Sequence, residues 1–170
     1  MPLMSFGDHT PRVLTGSFVA PTATLIGQVH IGENVSIMFG AVVRADREAI
    51  TVGDGSNLQD TTVLHSDPGF PTHIGAGVSV GHGAIVHGAH IGDHCLIGMG
   101  ATVLNGAQIG EGCLIAAGTV ILEATVIPPR SLVAGVPGKI RRAITDEEYH
   151  AILANAATYR ELGAHYRGNS

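Results

Sequence analysis

The sequence has no Trp, only 4% aromatic residues and only 14% charged residues. A core of its 45% hydrophobic residues must therefore be built mainly from Val, Ile, Leu and Ala, many similar small parts rather than a few large rings. Two cysteines make no disulfide framework. Lys and Arg number 9 against 14 Asp and Glu, so there is no basic stripe to neutralise phosphates, and neither nucleic acid nor an acidic membrane surface is an expected partner. The first residues, MPLMSFGDHTPRV, lack a basic stretch followed by an apolar one, and no apolar run approaches the roughly 20 residues a membrane helix needs. The expectation is one soluble, cytoplasmic domain without a membrane partner.

What the sequence has in abundance is periodicity. Bulky apolar residues recur every sixth position at Val19, Leu25, Ile31, Ile37 and Val43, and again at Ile91, Ile97, Val103, Ile109, Ile115, Ile121, Ile127 and Val133. Shorter runs in the same rhythm, Val52, Leu58, Leu64 and Ile74, Val80, Val86, are set off by insertions around 44–51 and 65–73 that read as loops. A second slot four positions on, usually small, holds residues such as Ala23, Ala41, Ala84, Cys95, Ala101, Ala107 and Cys113 and should also face inward. A period of six fits neither an α-helix nor a plain alternating strand. Three hexads make one triangular coil, and coils stack as parallel strands about 4.8 Å apart. The fold class is thus an all-β solenoid, a parallel β-helix of hexapeptide repeats. Gly following the bulky residue, as at Gly32, Gly75, Gly81, Gly92, Gly98 and Gly110, suits corners with positive φ.

The repeat spans 1–138. The segment 139–170 is read as helical, with a helix over Thr145–Leu162 capped by Thr145 or Asp146 and ended by Gly163. Its stripe of Tyr149, Ile152, Leu153 and Ala156 should pack on the β-helix or on a neighbouring chain. Cys95 and Cys113 fall one coil apart in the inward slot and are expected to be core residues.

Of 10 histidines, His9, His30, His90, His94, His150 and His165 read as surface residues. With 65–73 counted as one bulged hexad, Val43, Leu64 and Val86 lie on one face in successive coils, so Arg44, His65 and His87 form a column. Zn–N distances near 2.0–2.1 Å require ligand nitrogens roughly 3.4 Å apart, within reach of two imidazoles leaning together across a strand spacing. His82 follows Val80 by two and belongs to the preceding face, stacked over Asp60. A ligand on a different face points to an interface site, with His65 and His87 from one chain of a threefold trimer and His82 from the next. Arg44 and Asp46 would then pair with Asp60 across the interface.

Val43-Arg44-Ala45-Asp46, Asn57-Leu58-Gln59-Asp60, His65, Gly81-His82-Gly83 and His87-Gly88 together resemble the γ-class carbonic anhydrase family, over nearly the whole chain. The resemblance implies a left-handed β-helix, a homotrimer, and zinc held by His65, His82 and His87 at each interface, with iron or cobalt as alternatives. It implies reversible hydration of carbon dioxide to bicarbonate by a metal-bound hydroxide. Gln59 would bond the metal-bound water, Arg44, Asp46 and Asp60 would form the interface ion pairs, and Tyr159 would turn toward the site. The loop Ser66-Asp67-Pro68-Gly69-Phe70-Pro71-Thr72 lacks the family's shuttle glutamate, which leaves His73 as a candidate proton relay. Two other functions share the fold: acyl transfer from acyl-CoA with one histidine as base, and a metal-stapled trimeric scaffold without turnover.

Overall fold

A computed structural model of the chain describes residues 3–168. Residues 1–2 and 169–170, the outer ends of the two expected segments, lie outside the described residues. All of the bulky hexad residues listed above are buried, and so is the second slot except Thr125, which is half-buried in the last coil.

The chain winds through about seven turns of a solenoid with three faces. The first face carries Val63–His65, Ile85–His87, Thr102–Val103 and Val120–Ile121. The second carries Thr72–Ile74, His90–Ile91, Gln108–Ile109 and Val126–Ile127. The third runs from Phe18–Val19 through Asn57–Leu58 and Ser79–Val80 to Ser131–Ala134. Within each face the coils pair in parallel and in register, bulky residue over bulky residue, as in Val43, Leu64, Val86 and Val103. The two cysteines obey the same rule: both are buried, and the Cys113 N–H donates to Cys95 Sγ at 3.3 Å.

The expected loop at 44–51 is instead part of one strand, Val42–Val52, that rounds the corner between the first two faces beside Thr24–Ile31. Its extra residues are absorbed as a bulge, with the register shifting opposite Gly27 and Val29. The 65–73 insertion does leave the coil, closing through an antiparallel bridge between Asp67 and Phe70.

The glycines also differ from expectation. Gly81, Gly92 and Gly98 do not have positive φ; a Cβ on them would lie 2.8, 2.8 and 2.5 Å from backbone nitrogens of the next coil. They are small because coils touch there. Positive φ falls two residues later, at Gly83, His94 and Gly100, where the corner turns.

Beyond 138 the chain first forms a strand, Lys139–Ala143, antiparallel to Ser131–Ala134, and only then the helix Asp146–Gly168. Thr145 Oγ1 accepts from the Glu148 N–H (3.2 Å) while Glu148 accepts from the Thr145 N–H (2.8 Å), a reciprocal cap. Arg142 grips the same carboxylate through both nitrogens and holds it down to about 2. Gly163 does not end the helix. It is buried, and a Cβ there would meet Ser36 Oγ at 2.1 Å, so glycine lets the helix close onto the third face of its own coil. Ile152 and Ala156 are buried in the same packing, and Tyr166 stacks on Phe18 at 5.3 Å.

Gly98→Ala and Gly118→Ala separate the two roles of glycine. Gly118 has φ +67° with nothing near its Cβ, so alanine there costs only the left-handed strain, about 1 kcal/mol. Gly98→Ala must push coils apart and costs about 2–3 kcal/mol. Urea unfolding of both variants should give that order; the reverse order would mean that coil contact is not what selects Gly98.

Candidate metal centre

The first face brings Arg44, His65 and His87 into one column through the pairs Arg44 with His65 and His65 with His87. His65 Nδ1 and His87 Nε2 face each other at 2.9 Å. What lies behind each ring decides which nitrogen carries a proton. His65 Nε2 is 3.0 Å from Asp46 Oδ1, and Asp46 also holds Arg44 Nη1 at 2.5 Å. Burial alone would raise the Asp46 carboxyl, but Arg44 and His65 outweigh it and keep it below the usual range. Asp46 is therefore an acceptor, and His65 Nε2 is the N–H.

On the other ring, His87 Nδ1 is 2.8 Å from Asn105 Oδ1, while Asn105 Nδ2 donates to Asp67 Oδ2 at 3.0 Å. A carboxylate can only accept, so it fixes the amide with its oxygen toward His87. His87 Nδ1 is then the N–H. The facing nitrogens are both lone pairs, which cannot bond to one another but can share a cation. Tetrahedral ligation asks for roughly 3.4 Å between nitrogens. Opening the pair by about half an ångström satisfies it.

Asp67 completes the cluster: among the described residues, ligand atoms of His65, Asp67 and His87 all lie within 4.8 Å of one another. Asn105, through its hydrogen bond, is the first cause holding the Asp67 carboxyl below its usual range. Neither Asp67 nor Asn105 was singled out from the sequence. A signal for Asn105 existed: it stacks beside Gly88, where a Cβ would come 2.1 Å from Asn105 Oδ1, so Gly88 opens the path from Asn105 to His87.

His82 stands elsewhere, at the corner that leaves the third face. Its Nδ1 is 2.9 Å from Asp60 Oδ2, and its Nε2 is 3.1 Å from the Tyr159 hydroxyl. Burial, with Asp60 second, raises the Tyr159 phenol, which therefore donates, leaving the Nε2 lone pair as acceptor. Within one chain the expected site residues thus form two groups. Arg44, Asp46, His65 and His87 make one; Asp60, His82 and Tyr159 make the other. Gln59 is buried beside the second group and donates to Asn57 Oδ1 at 3.2 Å. A cavity of about 370 Å³ adjoins it, walled by Leu96, Ile97, Met99 and Leu114, with Gln59, His82, Asn155 and Tyr159 at its polar side.

His73 is not part of either group. It lies on the second face, stacked on His90 with ring centroids 4.6 Å apart, and its Nδ1 is 2.7 Å from Thr51 Oγ1. Burial lowers its pKa. The relay role expected for it has no geometric support.

Comparison with known proteins bears on this constellation. The "Bacterial transferase hexapeptide (six repeats)" family model matches residues 71–105 and 88–123. A "Probable carbonic anhydrase" of Methanocaldococcus jannaschii is 54% identical over 144 residues, covering 85% of this chain and 91% of that protein. The chain belongs to the γ carbonic anhydrase family. "Gamma carbonic anhydrase 1, mitochondrial" of Arabidopsis thaliana is 39% identical over 99% of this chain, which spans 64% of that longer protein. Among solved structures, a hexapeptide transferase family protein from Anaplasma phagocytophilum is 36% identical with a TM-score of 0.94, covering 97% of this chain and 98% of that one. The γ carbonic anhydrase family falls within the hexapeptide-repeat, left-handed β-helix superfamily.

The tautomer assignment predicts the effect of Asn105→Ala. With the amide gone, His87 loses its Nδ1–H preference, and metal affinity falls about 10–100-fold. Chelator competition measures the affinity, and ¹⁵N spectra of the histidine rings report the tautomer. An unchanged His87 tautomer would show that Asn105 does not set it.

Proposed function

We propose that the chain is a metal-dependent carbonic anhydrase-like enzyme, hydrating carbon dioxide reversibly to bicarbonate at the interfaces of a homotrimer. The observation that carries the proposal is the opposed pair of unprotonated imidazole nitrogens, His65 Nδ1 and His87 Nε2, held 2.9 Å apart by Asp46 and Asn105. In the trimer the third nitrogen comes from His82 of the neighbouring chain, whose ring is oriented by Asp60. Zinc, or iron or cobalt in its place, supplies a Lewis acid that brings the pKa of a bound water to about 7.

The remaining work falls to the chain. Asp46 and Asn105 hold the two ring tautomers, and Arg44 keeps Asp46 charged. Gln59 and the Tyr159 hydroxyl place hydrogen-bonding groups beside the apolar cavity, where a nonpolar gas can enter and a polar product can be held. Trimer formation brings the two groups of residues, separate in one chain, to a single centre. The high identity to carbonic anhydrases over most of the chain supports the same reading.

The decisive experiment is metal analysis with stopped-flow hydration on protein grown with zinc and, separately, anaerobically with iron. One metal per chain and hydration that is lost on chelation and restored by metal are expected; hydration undiminished without metal would refute the proposal. His82→Ala should lower metal affinity and weaken the trimer although each chain keeps His65 and His87. Unchanged affinity and assembly would show that His82 is not an interface ligand.

A second reading, acyl transfer from acyl-CoA, is favoured by one feature. His82, in the wall of an apolar cavity and held by Asp60 behind it, has the form of an oriented general base. Acetyl-CoA-dependent transfer that survives zinc removal would establish it in place of hydration.

A further inference from the structure

We infer that each chain captures its metal ion by itself, through His65, Asp67 and His87, before a neighbouring chain supplies His82. The inference rests on the metal-dependent reading above and adds to it a ligand and an order of events.

Asp67 is two residues after His65, on the tight bridge that closes with Phe70, so the same backbone that carries the first imidazole carries the carboxylate. The ligand atoms of the three side chains lie within 4.8 Å of one another. Asn105 sits behind two of them, accepting from His87 Nδ1 at 2.8 Å and donating to Asp67 Oδ2 at 3.0 Å. One amide thus orients two ligands, leaving His87 Nε2 and the other Asp67 oxygen for a metal. Two neutral imidazoles and a carboxylate are an ordinary donor set for a divalent first-row ion, with a further position left for water. The carboxylate contributes the only negative charge among these ligands, and thus the electrostatic attraction that two imidazoles alone lack.

His82, by contrast, is unavailable to its own chain's pair. It belongs to a different corner, and both its nitrogens are occupied, Nδ1 by Asp60 and Nε2 by the Tyr159 hydroxyl. For His82 to ligate, a neighbour must bring it to the pair and Tyr159 must release Nε2. His65, Asp67 and His87 would hold the ion on one chain with a position left open, and His82 of the next chain would fill that position only on assembly, so that metal capture precedes interface closure.

Four chains, with Asp67→Ser as a fifth for control, test this: wild type, Asp67→Asn, His82→Ala and the double variant. Each is titrated with Co²⁺, whose visible absorption reports its ligands, and with Zn²⁺ against a chelator, while sedimentation follows assembly. His82→Ala should still bind one metal per chain, more weakly than wild type; the double variant should bind at least about tenfold more weakly again. Asp67→Asn alone should load more slowly yet reach one metal per chain. Asp67→Ser, tested in parallel with circular dichroism to verify folding, should behave as Asp67→Asn does. A wild type with one metal per chain and a His82→Ala chain with none would overturn capture while leaving the metal-dependent reading intact. A double variant binding as tightly as His82→Ala would remove Asp67 from the ligands. A wild type that binds no metal would overturn both readings.

Discussion

Register between stacked coils is the constraint on which the rest depends. Each face pairs in parallel with bulky residues superposed, so a side chain's neighbours above and below are fixed by its place in the hexad. A slip of one residue would turn buried columns outward, and burial of nearly every hexad residue opposes that slip at every coil. The columns are therefore stiff. Functional groups placed on them inherit that stiffness, which is why His65 and His87 are held nitrogen to nitrogen.

The second layer of control is polar. Two imidazoles facing each other would ordinarily relax by letting one donate to the other, which would satisfy the pair and spoil it as a metal site. Here Asp46 behind one ring and Asn105 behind the other take up both N–H groups. Asn105 can do so only because Asp67 fixes its amide and Gly88 leaves it room. The lone pairs are thereby turned inward by partners on three different coils.

The hexad, the faces and the two polar columns were legible in the sequence because they are consequences of counting. Register alone places Arg44 beside His65, His65 beside His87 and Asp60 near His82. What counting could not supply was anything that depends on the space between coils. Glycine marks positive φ more familiarly than it marks contact, so in the sequence Gly81 and Gly98 look like turn residues, and their role appears only when a Cβ is set against the next backbone. Gly163 misled in the same way, since a glycine near a helix end looks like a stop until Ser36 is seen beneath it. The corner at 44–51 looked like a loop because its extra residues break the period, although the strand continues through them. Asp67 lies on an excursion that leaves the hexad, so counting assigns it no column, and for Asn105 counting gives the coil but not that its amide reaches His87 across Gly88.

A solenoid of this kind cannot easily gather three imidazoles from one chain. Side chains on one face form columns, and a column offers neighbours in a line, whereas tetrahedral ligation needs donors arriving from well-separated directions. His65 and His87 already use the two directions that one column provides. A third donor has to come from a loop that leaves the coil or from another molecule: Asp67 on the 65–73 excursion meets the first need, and the proposed trimer would meet the second with the corner histidine His82, which is half-exposed at 43% and held by Asp60. Since His82 is occupied within its own chain by the hydroxyl of Tyr159, its Nε2 is already an unprotonated acceptor before any metal approaches. A metal in place of that hydroxyl would accept the same lone pair, with no proton to be removed from the ring. His82 thus already has the tautomer that the proposed interface would need, just as His65 and His87 have theirs.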